Sequence, residues 1–138
     1  MISPKTAGAI MIKKKVLDPD RVRRIQGGFS FIPHRFLTDG FLASLDQQEI
    51  LLYLFLVLAS DRNGLSFYSY DAICTFLYTT VDEYIEARDS LIKKGLIAFD
   101  GTLFQVLDLP KEPVQRKQRQ NHGSLKMDNL IQQSIGEI

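Results

Sequence analysis

The sequence predicts a mainly α fold with a small β wing, and three observations carry that prediction. A long apolar helix begins near Asp46, a short helix opens at Ser69, and a third helix ends in Lys94-Gly95-Leu96-Ile97. A hairpin with a glycine turn then fills Leu96 to Leu109. Three helices followed by a hairpin, with the second and third joined by a tight turn, is the plan of a winged helix-turn-helix. A nucleic acid is therefore the first ligand to consider.

At 138 residues, with 45% hydrophobic and 24% charged residues, the chain supports one hydrophobic core. It divides into a basic N-terminal arm (1–26), a winged-helix domain with a lead-in strand and short helix (27–110), and a tail (111–138) made of a basic linker and a short amphipathic helix. The single cysteine, Cys74, excludes an internal disulfide and a multi-cysteine zinc site, and fits a reducing cytoplasm. The apolar run Ala7 to Ile12 is too short for a secretory signal, and Ile50 to Ala59 is half of the roughly twenty residues that a bilayer span needs. A cytoplasmic protein that does not enter membranes is expected. Met11 is an alternative start that would leave every element below intact.

The net charge of +1 hides a strong partition. Residues 1–35 carry eight Lys/Arg against Asp18 and Asp20, and residues 111–138 carry five against three acids. Residues 36–110 carry only Arg62, Arg88, Lys93 and Lys94 against eleven acids. Attraction to phosphate must then come from the ends, because the field of the middle repels a polyanion.

Taken in order, the arm has few apolar residues, and Asp18-Pro19-Asp20 is a turn or helix-start signal, with one helical turn expected over 20–25. After Gly27-Gly28, Phe29, Phe31, Ile32, Phe36, Leu37, Phe41 and Leu42 form a segment expected to be buried. Phe29 and Phe31 alternate as in a strand, Pro33 suits a first helical turn, and Gly40 suits a stop. Asp46 and Glu49 make a capping box for the first long helix. Its run from Ile50 to Ala59 has no polar face, so either the Phe29–Leu42 segment or a second copy of the protein must cover its outer side. Asp61-Arg62-Asn63-Gly64 is a turn, and Leu65 to Phe67 suit a first wing strand. Ser69 caps a helix over about 70–78, with Ile73, Phe76 and Leu77 inward. Thr80 and Glu83 box the start of the third helix, about 81–94, with Tyr84, Leu91 and the stem of Arg88 on one stripe and Ile85 and Ile92 beside it. Gly95 ends it, Asp100-Gly101 signals a two-residue hairpin turn, and Pro110 closes the domain. Lys111 to Ser124 reads as a solvated linker, and Met127, Leu130, Ile131 and Ile135 recur at helical spacing.

The pattern Leu51-Leu52-Tyr53-Leu54, then Asp61-Arg62-Asn63-Gly64-Leu65, Ser69, and Leu91 through Lys94-Gly95-Leu96-Ile97 resembles the winged-helix domains of plasmid replication initiator proteins and of bacterial primosome proteins of the DnaD type. Phe31-Ile32-Pro33 and Phe36-Leu37 look like their lead-in segment. Lys-Gly-Leu-Ile before a wing is also similar to transcriptional regulators of the MarR group. The resemblance covers about 80 residues and implies a homo-oligomer that binds double-stranded DNA through the third helix and the wing.

The third helix departs from that pattern. It offers Asp82, Glu83, Glu86 and Asp89 where DNA-reading helices commonly offer amides, hydroxyls and cations. The wing tip Asp100-Gly101-Thr102 has no cation. DNA contacts are therefore expected from Lys13, Lys14, Lys15, Arg21, Arg23, Arg24, Arg35, Arg116, Lys117 and Arg119, and a protein partner is expected at the four carboxylates. Tyr68, Tyr70, Tyr78 and Tyr84 could stack on bases, although packing at the core edge is the commoner fate of such rings. No phosphate-cradling loop is present, His34 and His122 lack metal-ligand spacing, and Cys74 has no histidine near it in sequence. Neither an enzyme nor a bound cofactor or metal is expected.

The expected function is that of a DNA-binding winged-helix protein, with DNA contacts mainly from its basic arms, that serves replication initiation or transcriptional regulation in a bacterium or mobile element, as a homodimer. The alternative is a winged helix used for protein contact or dimerisation without reading DNA.

Overall fold

The computed structural model describes residues 12–115, of which 12–29 belong to one compact unit and 30–115 to another. In the first unit a single 3-10 turn, Pro19–Arg21, replaces the helical turn expected at 20–25. Asp18 starts it by accepting the Asp20 N–H at 3.1 Å. Lys13, Lys14, Lys15, Arg21, Arg23 and Arg24 are all exposed.

The second unit holds α1 (Arg35–Thr38), α2 (Gln47–Ala59), β1 (Leu65–Ser66), α3 (Tyr70–Leu77), α4 (Val81–Lys93), β2 (Ile97–Phe99) and β3 (Phe104–Val106). It is mainly helical with a small three-stranded antiparallel sheet in the order β1-β3-β2, as a winged helix requires. All three long helices start at the caps read from sequence. The Glu49 N–H reaches Asp46 at 2.9 Å and the Asp46 N–H reaches Glu49 at 2.7 Å. Ser69 accepts from the Ala72 N–H at 3.3 Å, and Thr80 accepts from the Glu83 N–H at 3.1 Å. Each bond satisfies an amide that the first helical turn leaves without a partner.

The core joins Leu52 and Leu56 of α2, Ile73 of α3, Leu91 of α4, and Phe41, Leu96, Ile97 and Phe104. Phe36 lies flat on Tyr53, with ring centroids 4.9 Å apart, so the lead-in segment does cover one side of α2.

That covering is only partial, and the expected lead-in strand is absent. Phe29 and Phe31 are 69% and 76% exposed, and Leu37 also faces outward. The sheet ladder does not extend to this stretch, and an alternating segment with no neighbour to pair with gains nothing from becoming a strand. The outer face of α2 also stays open at Leu54 and Leu58.

Turn chemistry sets the sheet. Asp61 accepts the N–H groups of Asn63 and Leu65 at 2.8 and 3.0 Å, which carries the chain from α2 into β1. Gly64, at φ +84°, passes so close to β3 that a Cβ would meet the Val106 carbonyl oxygen at 2.5 Å. The hairpin pairs Phe99 with Phe104, giving a four-residue loop rather than the expected two-residue turn. Asp100 holds that loop by accepting the N–H groups of Thr102 and Leu103 at 2.8 and 2.7 Å, and the register lets Phe99 and Phe104 stack at 4.3 Å.

Candidate nucleic-acid interface

The helix-turn-helix is α3, a tight turn and α4. The turn is made by Tyr78, a non-glycine residue in the left-handed region at φ +53°. The Tyr78 and Thr79 N–H groups both reach the Cys74 carbonyl, and the Thr79 hydroxyl lies 2.9 Å from Gln48 of α2 and 3.0 Å from Glu83. The turn is thereby tied to α2 and to α4.

Along α4, Tyr84, Ala87 and Leu91 are buried, which fixes the rotation of the helix. The opposite face, exposed to solvent, carries Asp82, Ile85, Glu86, Asp89 and Lys93. This is the face that a winged helix turns toward DNA, and its carboxylates outnumber its one lysine.

The four predicted partner-binding acids divide into two kinds. Glu83 is occupied by the cap. The Thr80 N–H and the Thr79 hydroxyl, both donating to it, hold its carboxyl below the ordinary value. Asp89 pairs with Arg88 at 3.0 Å. Asp82 and Glu86 are exposed and form no ion pair among the described residues.

The domain's cations are mostly spent inside the fold. The Arg88 guanidinium sits 5.5 Å from the Tyr84 ring centroid and 5.2 Å from that of Phe99. Burial alone would lower its pKa, but the hydrogen bonds to Asp89 and Tyr84 outweigh it and keep the charge in place. Lys94 turns under α4 to Glu49, at 3.0 Å.

Arg35, a predicted DNA contact, is engaged as a clamp within the fold. It pairs with Asp39 at 3.0 Å, donates to the carbonyls of Pro110 and Lys111 at 2.7 and 3.2 Å, and lies over the Phe41 ring. Its planar fork suits several carbonyl acceptors at once, and these contacts leave it little freedom to reach phosphate. Arg116, Lys117 and Arg119 lie outside the described residues, as do His122 and the amphipathic segment beyond Ser124. Among the described residues, then, no run of lysines or arginines crosses α4 or the wing.

Beside α4 a groove of about 460 Å³ opens between the loop leading into α3 and the wing, lined by Phe67, Tyr68, Tyr70, Arg88, Phe99 and Thr102 among others. Of the four tyrosines, Tyr84 belongs to the core, Tyr68 packs edge-on against Phe55 at 5.2 Å, and Tyr70 and Tyr78 are exposed. Phe76, expected inward, is 63% exposed and packs at the rim against Phe55, 5.6 Å away. Cys74 is half-buried, and burial together with Asp71 raises its pKa, the opposite of what a nucleophile needs.

Residues 43–97 match a family model described as a helix-turn-helix domain. The match runs from the turn before α2 to the first residue of β2, so it covers all three long helices and stops short of the hairpin. No curated protein and no solved structure matches the chain. Fold and match together define a winged helix-turn-helix unit, a class whose common ligand is DNA. Among the described residues no helix is long and apolar enough to cross a membrane.

Proposed function

We propose that this chain is a non-enzymatic DNA-binding protein of the bacterial cytoplasm or of a mobile element, acting in replication initiation or transcriptional regulation as a homodimer. Its grip on duplex DNA comes mainly from the basic ends and not from α4. One observation carries this reading: the outward face of α4 holds Asp82, Glu86 and Asp89, while Lys13, Lys14, Lys15, Arg21, Arg23 and Arg24 all stand exposed. Phosphate contacts by such residues give affinity with little sequence information, and base reading would have to come from elsewhere on the dimer. The lead-in segment resembles that of replication initiator and primosomal domains, whereas Lys94-Gly95-Leu96-Ile97 before the wing is shared in likeness with transcriptional regulators, so both roles stay in the proposal.

A salt titration on duplex DNA tests the proposal. The full chain should show a slope of log affinity against log salt of about −0.9 per phosphate neutralised. Replacing Lys13, Lys14 and Lys15 with glutamine should flatten that slope and weaken binding on every sequence alike. An unchanged slope would remove the arm from the mechanism. The acidic face of α4 also favours a second reading, in which the unit docks a basic protein and leaves DNA alone; absence of duplex binding even at low salt would select it.

A further inference from the structure

The outer face of α2 is an apolar surface with no partner in the described unit. Leu51, Leu54, Phe55 and Leu58 recur at spacings of three and four, so they form one stripe along the helix. Leu58 is 66% exposed and Leu54 43%. Beside the stripe, Phe55 meets both Tyr68 and Phe76, whose rings lie 6.5 Å apart, and so the stripe widens into an aromatic ledge.

The size of this surface says what kind of contact it fits. With aromatic side chains taken at about 150–250 Å² each, the open parts of these six residues sum to roughly 500 Å² of apolar area. That is at the upper end of what a monomer leaves in water, about 300–600 Å². It also fits the apolar core of a standard interface, which buries about 800 Å² on each side and is roughly 65% apolar between identical subunits.

We propose that this face is the homodimer interface, with α2 packed antiparallel against α2 of a second copy about a two-fold axis near Leu54 and Leu58. The inference rests on the homodimeric reading above and adds the surface that forms it. Three features favour a second copy as the occupant. The area is that of a dimer core. A two-fold contact must be self-complementary, and an uncharged stripe meets its own image without opposing like charges. The one ionised side chain within α2, Glu49, points inward to Lys94 and is not desolvated by the contact. Antiparallel packing also opposes the two helix dipoles favourably.

Sedimentation velocity or light scattering on the full-length protein across the micromolar range tests this. The expected mass is twice 15.7 kDa. Leu58→Lys and Phe76→Lys should each weaken the dimer at least about thirtyfold, the loss of one hot-spot contact, with unchanged helical circular dichroism because both side chains already face water. Ile85→Lys, on the exposed side of α4, should leave the dimer intact. A wild-type protein of monomer mass at every concentration overturns both this interface and the homodimeric reading, and means that the face is covered within one chain or by a different protein. A wild-type dimer that survives both lysine substitutions overturns the interface alone.

Discussion

Lys94, at the C-terminus of α4, holds its ammonium 3.0 and 3.1 Å from the two carboxylate oxygens of Glu49 in the first turn of α2. It donates in addition to the Ser44 carbonyl at 2.9 Å, and Glu49 accepts from the Ser90 hydroxyl and from the Asp46 N–H. One carboxylate thus caps α2 and fixes the end of α4 against it. The lysine of the Lys-Gly-Leu-Ile signature is thus tied into the fold by three hydrogen bonds.

Removing one member of this pair leaves the other charged and buried. Lys94→Met is expected to cost about 3 kcal/mol, in the range for breaking a buried pair. The double variant Glu49→Gln/Lys94→Met should recover part of that loss, because no unpaired charge remains. Urea unfolding of the two single variants and the double variant measures the coupling.

The same carboxylate makes stability depend on pH. Burial pushes Glu49 upward, but the bonds from Ser90, the Asp46 N–H and Lys94 outweigh it, so its folded pKa lies below the ordinary value. The unfolded chain therefore takes up the proton first as pH falls. The stabilisation is fully present above about pH 4.3, the unfolded value of a glutamate, and is lost as pH drops through the folded value. Urea midpoints taken from neutral pH down to about pH 3 should fall only in this acid range, and Glu49→Gln should flatten the fall.

Gly64 should tolerate no side chain. Alanine there would have to adopt φ +84° and place its Cβ 2.5 Å from a backbone oxygen of β3, an atom that cannot move without breaking the Val106 N–H bond to the Gly64 carbonyl. Gly64→Ala is expected to destabilise by about 2 kcal/mol or more, read as a lowered melting temperature. Gly101→Ala makes a useful comparison, because its φ of +100° is also positive but no atom lies within 4 Å of the added methyl. The difference between the two isolates the contact with β3.

The carboxylates facing out from α4 should oppose binding to a polyanion. Asp82→Asn and Glu86→Gln are each expected to raise affinity for duplex DNA roughly two- to fivefold at low salt, from a Coulomb energy of no more than about 1 kcal/mol in water. The gain should vanish near physiological ionic strength as the charges are screened. Filter binding or anisotropy at two salt concentrations measures it, and no gain at low salt would mean that DNA does not approach this face.

The helix caps are legible in the sequence because each is settled within four residues. Asp46 with Glu49, Ser69, and Thr80 with Glu83 all cap the helices they were expected to cap. The hairpin was legible in place but not in register, since pairing Phe99 with Phe104 depends on how the two rings stack, and no local rule encodes that. Burial was overestimated at Phe29, Phe31 and Phe76, where hydrophobicity is plain but the number of neighbours available to cover it is a property of the whole fold. Charge was the least legible feature. Arg35, Arg88 and Lys94 look alike in the sequence, and only the fold shows that their partners are, respectively, carbonyls 74 to 76 residues away, two aromatic rings and an acid on another helix.

The Arg35 clamp has a topological consequence. By gripping the carbonyls of Pro110 and Lys111, it staples the doorway through which the chain enters this unit to the one through which it leaves. A fold with adjoining ends can be inserted into a loop of another protein, or cut open elsewhere and rejoined, without tearing its interior.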